Sequence, residues 1–166
     1  MEPRPKLNDE MKLAAARKLV AEMVKNGTLE IEGDAELYAK DVAKHGTSWG
    51  DGYELAKALD SHCHWDCNLM IAEALDNFAS YADSEVVRAE KEWVTRCAIE
   101  PPYPLGTRVK LNRSGEAGIL DEVYTHGHAK YCVKIDGDPQ AKAPTKSRRI
   151  VNFEDVAPIV AAAVPA

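Results

Sequence analysis

The stretch of this chain whose residue types could coordinate or attack is His62-Cys63-His64-Trp65-Asp66-Cys67. Thiolate and imidazole are preferred ligands of Zn2+, and His62, Cys63, His64 and Cys67 fall within six residues. A structural zinc site normally takes its second ligand pair from a distant segment, yet no second CxxC or HxxxH follows. Closing the tetrahedron would take Cys97 or Cys132, or His126 and His128. As a nucleophile, a thiol needs a histidine oriented by a third group. Histidines flank Cys63 directly, but adjacent side chains diverge and no nucleophile motif surrounds it. The plainer reading is a polar turn between helices, with cysteines acting as small buried hydrophobes. On that reading no cofactor is expected, and zinc at the turn is the alternative.

Other chemistry is sparse. Lys142, Lys146, Arg148 and Arg149 form the chain's basic concentration, and with Tyr103, Tyr124 and Tyr131 they could grip a nucleic-acid backbone and stack a base. A solvated loop is the simpler account of them. His126-Gly127-His128 reads as a hairpin turn. Dinucleotide and P-loop glycine motifs, GxSxG, HExxH and the EF-hand loop are all missing from the sequence.

Charge narrows the choice of partner. Of 166 residues, the first hundred carry 12 Lys/Arg against 20 Asp/Glu, and the remainder carries 9 against 7. The acidic part repels nucleic acid and attracts basic protein surfaces, so a nucleic-acid role would rest on the basic loop of the second part alone. Cysteines number four and lie far apart apart from the first pair, which predicts reduced thiols. No apolar run approaches the ~20 residues needed to cross a bilayer, and the first residues lack a signal peptide's apolar core, so a soluble, cytoplasmic protein with no membrane partner is expected.

The elements that must position these residues begin with a helix from the Asn8/Asp9 cap to Lys25, stopped by Asn26-Gly27. A second is capped by Asp34 and closed by His45-Gly46. A third starts at Gly52, with Asp51 and Glu54 as a capping box, and runs to about Ser61. Trp49, beside two glycines, is either an exposed contact residue or a staple packed ahead of that helix. Then comes the organising stretch, Asn68 to Ile99. Ile71, Leu75, Phe78, Ala82, Val86, Ala89, Trp93 and Cys97 recur in steps of three or four, predicting a single helix of roughly 45–50 Å. Asp66 is its expected N-cap and Trp65 its staple on Met70. Glu73, Asp76, Asp83, Glu90 and Glu92 lie off the apolar stripe, either as a solvated face or as an acidic ridge facing a basic partner. A stripe this wide could also pair with its copy in a homodimer.

Pro101-Pro102-Tyr103-Pro104 ends the helical pattern, and beyond it the hydrophobic period switches to two. Strands are predicted at Gly106 to Leu111, Gly118 to Tyr124, Ala129 to Ile135 and Ile150 to Phe153, with a turn over Glu154 to Pro158 and a frayed tail from Val160. Through Gly106-x-x-Val109, Gly118-Ile119, Tyr131-x-Val133 and the closing Glu154-Asp155-Val156, residues from Leu105 to Ile159 resemble SH3-like small β-barrels. That resemblance implies a fold and no function, since translation factors, chromatin readers and hydratase subunits share the shape.

The sequence therefore predicts an α+β protein. Residues 1–100 form an acidic four-helix domain with one long helix, 101–105 a proline-rich spacer, and 106–166 an SH3-like β-barrel. The expected function is non-enzymatic protein binding through the acidic helical surface and Trp49. Small acidic motif-free proteins of this kind include inhibitors and adaptors, among them phage-encoded inhibitors of host defence complexes. The alternatives are a nucleic-acid module using Lys146, Arg148 and Arg149, and a metal-site protein or metalloenzyme subunit using the His/Cys turn.

Overall fold

A computed structural model describes residues 2–137 and 148–159, in which helices precede an antiparallel sheet. The helices are α1 (Asp9–Lys25), α2 (Ala35–His45), α3 (Gly52–Cys63), α4 (Leu69–Leu75) and α5 (Phe78–Arg96). Each of the first three starts where a short polar side chain meets an apolar-periodic run. Asn8 accepts from Met11 N, Asp34 from Glu36 N and Asp51 from Glu54 N, satisfying N–H groups that no helical carbonyl can reach.

The single long helix of the sequence reading is two helices. Asn68, not Asp66, caps α4 by accepting from Ile71 N at 3.0 Å. The helical run is interrupted at Asp76-Asn77, where Asn77 Nδ2 donates to Ala74 O and the Asp76 carboxylate accepts from Gly52 N. Short polar side chains that find such partners compete with regular helix, so no Gly or Pro is required for the break. Gly52 makes the contact possible, because a Cβ there would collide with the Ala72 carbonyl and with Asp76 N.

The chain divides into two compact units between Glu92 and Trp93, inside α5 and ahead of the prolines. In the first unit the core is built from Ala15, Leu19, Val20 and Met23 of α1, Val42 of α2, Leu59 of α3, Leu75 of α4 and Phe78 and Ala82 of α5. Trp65 belongs to this core rather than stapling Met70, which stays 62% exposed.

In the second unit the strands are β1 (Arg108–Leu111), β2 (Ala117–Val123), β3 (Lys130–Ile135), β4 (Arg149–Asn152) and β5 (Val156–Pro158), in the order β4-β3-β2-β1-β5. The sheet is antiparallel and not closed. Val109, Leu111, Leu120, Tyr131, Val133 and Phe153 alternate into its core, which Trp93 of α5 joins. Val156–Pro158, expected as a turn, instead pairs with β1 in the register Leu111 to Val156. Residues 138–147 and the tail from Val160, including Lys142 and Lys146, lie outside the described residues. No helix among those described is long and apolar enough to cross a membrane.

Candidate functional site

The His/Cys turn fans out instead of converging. Helix α3 ends at Cys63, and His64 caps it in a left-handed conformation with φ 59°. His62 stacks its ring on His45, with centroids 5.4 Å apart. Cys63 lies beside Asp41, whose carboxylate accepts from Trp65 Nε1 at 3.1 Å. Cys67 lines a different groove, with Tyr53 and Leu69. Among the described residues, no three His, Cys, Asp or Glu side chains are placed to hold one metal ion. Burial pushes the Cys63 thiol up, reinforced by Asp41, and burial also raises Cys67, reinforced by Asp60 and Asp66. Both thiols are thereby kept protonated, the weakly nucleophilic form.

The acidic candidates separate by environment. Glu73 and Asp83 are exposed, as a partner-facing ridge requires. Asp76 is also exposed but is engaged with Gly52 N. Glu92 pairs with Arg88 at 2.9 Å, one helical turn away. Glu90 departs from the ridge, being buried and bound to Arg4 at 2.8 Å. The segment ahead of α1 covers it, a contact across 86 positions that helical spacing cannot reveal.

Sequence reasoning also passed over Glu85, only 1% exposed. Lys18 Nζ at 2.5 Å and Arg88 at 2.7 Å grip its carboxylate and hold it below the usual carboxylate range. A signal was present: Glu85 falls on the Phe78-Ala82 side of the helix, with Arg88 three positions on.

The basic candidates are largely neutralised where they are described. Arg148 reaches Asp121 at 2.7 Å and Glu122 at 2.5 Å, and Arg149 reaches Glu116 at 3.1 Å. Asp121 falls at the β-bulge between Leu120 and Glu122, and it also pairs with Lys134. Guanidinium groups already matched to carboxylates have little charge left for a phosphate backbone.

An apolar surface remains on the helical unit. Trp49 is 95% exposed, in the loop leading into α3, so it is a surface residue and not a staple. Tyr53 and Leu69, 66% and 72% exposed, line a groove of about 340 Å3 with Lys57, Asp60 and Cys67. The carboxylates of Asp51, Glu54 and Glu73 lie on the same loop and helices, all exposed. This arrangement can bind a surface that is apolar at its centre and basic around it. No family model, curated protein or solved structure matches the chain.

Proposed function

We propose that this chain is a non-enzymatic protein-binding protein, a stoichiometric inhibitor or adaptor acting in the cytoplasm. It works through the α3–α4 face of its acidic helical unit. The observation that carries this reading is Trp49 at 95% exposure. Tryptophan is the side chain most enriched among the residues that dominate interface energies, and a monomer has no folding reason to leave one in water. Tyr53 and Leu69 add an exposed apolar groove on α3 and α4, and the exposed carboxylates of these elements favour a partner with a basic surface. The smaller sheet unit is, on this reading, an SH3-like barrel. Its support is the β4-β3-β2-β1-β5 order and the 3-10 turn Phe153–Asp155 ahead of β5.

The test starts with affinity capture from the cells that make the chain, followed by reconstitution with the purified partner. Trp49→Ala should weaken the reconstituted complex by at least about tenfold, the scale of an interface anchor, while thermal stability stays put. A partner that binds Trp49→Ala as tightly as the parent chain would sink the proposal.

A further inference from the structure

One cleft of the helical unit is lined by neither Trp49 nor Tyr53 nor Leu69, and we infer that it receives an extended arginine- or lysine-bearing segment of another protein. The inference is independent of the Trp49 reading. The cleft has a volume of about 710 Å3 and is formed by the α1–α2 connection, α2 and the α3–α4 connection. Its lining includes four carboxylates, Glu30, Glu32, Asp41 and Asp66, and no lysine or arginine among the described residues. None of the four makes an ion pair within the described chain, in contrast to Glu85, Glu90 and Glu92. His64, exposed at the α3 cap, is the one lining side chain able to become positive.

Two further features select the shape of the cation. Half-buried Tyr38 stands in the wall against the core residue Trp65, 5.1 Å between ring centroids, and offers an edge or face to a guanidinium or the stem of a lysine. Trp65 is fixed in place by its bond to Asp41, so the aromatic wall and one carboxylate form a single preset unit. The connection through Glu30, Ile31 and Glu32 belongs to no helix or strand, and its backbone groups take part in no hydrogen bond within the described chain. Those N–H and C=O groups can pair with a peptide backbone, which a small polycation lacks.

The full chain should be titrated with a short peptide of alternating arginine and alanine, at near-physiological salt, and followed by backbone amide chemical shifts. Saturable one-to-one binding is expected, with shifts confined to residues 27–41 and 63–71 that frame the cleft. The double variant Glu30→Gln/Glu32→Gln removes two exposed, unpaired carboxylates and should fold as before while weakening binding about tenfold. Trp49→Ala should leave peptide binding unchanged, which separates this cleft from the face described above. Absence of binding would overturn the inference. So would shifts spread equally over Glu73 and Asp83, or spermine binding as tightly as the peptide.

Discussion

The Tyr131 hydroxyl holds the backbone of Tyr103 with both of its hydrogen-bonding functions, donating to Tyr103 O at 2.7 Å and accepting from Tyr103 N at 3.0 Å. One buried ring near the start of β3 thereby fastens the proline-rich segment onto the sheet core. Prolines at 101, 102 and 104 contribute no N–H of their own, so Tyr103 supplies the donor there. Burial raises the Tyr131 hydroxyl above its ordinary value, keeping the donating proton in place.

Replacing Tyr131 by Phe keeps the ring and removes both bonds, leaving the part-buried carbonyl and amide of Tyr103 to find water. A loss of about 1–3 kcal/mol is expected in denaturant unfolding of the sheet unit. A loss below about 0.5 kcal/mol would show that the segment is held by its apolar contacts instead.

Gly52 is the point where α3 meets the turn between α4 and α5. Gly52→Ala forces a methyl group against the Ala72 carbonyl and Asp76 N, and should destabilise the helical unit by about 1–3 kcal/mol. Asp76→Ala removes the partner of Gly52 N without that collision and should cost less. Thermal unfolding of the two variants side by side gives the order, and the reverse order would place the importance on the carboxylate.

Acid should weaken the helical unit through Glu85. Its folded-state pKa lies below the ordinary 4.5, chiefly through the bond from Lys18 and then that from Arg88. The charged form is therefore favoured by folding, and its contribution is complete above the unfolded value and fades as pH falls below about 4.5 through the folded one. Glu85→Gln should lower stability near neutrality and flatten the dependence across that acidic window. A variant whose stability falls with pH as steeply as the parent's would assign the acid sensitivity elsewhere.

The thiols give a separate check. With Cys63 and Cys67 both raised above the ordinary 9.0, a disulfide reagent at mildly alkaline pH should modify the native chain more slowly than free cysteine. Urea should erase the difference, and freshly purified chain should carry no stoichiometric zinc. Zinc at one equivalent, lost on Cys63→Ser, would show that the turn closes on a metal after all.

Much of the helical unit is legible locally, because a cap is written within a few residues. Asn8, Asp34 and Asp51 each precede an apolar-periodic run and each bonds within three positions. The break at Asp76-Asn77 was not legible, since Asp76 engages a glycine 24 positions earlier and the apolar period continues through it. The apolar stripe nevertheless continues across the break. Its members serve two cores in one chain, Phe78 and Ala82 in the first and Trp93 in the second. β5 escaped because three residues ending in proline are too short to alternate visibly. The exposed Trp49 was visible as a possibility, yet its burial depended on a neighbour that sequence alone does not supply. The cleft around Asp41 is invisible for the same reason, its walls coming from segments far apart in sequence.

An open sheet offers its outermost strands to any passing chain. Here both are short, with four residues in β4 and three in β5. β5 ends at Pro158, which has no N–H to give, and β4 opens with the charged Arg149. A stray strand thus meets an incomplete ladder on one side and a charge on the other. Among the described residues both edges carry features that discourage further pairing, with Ile150 half in water on the rim.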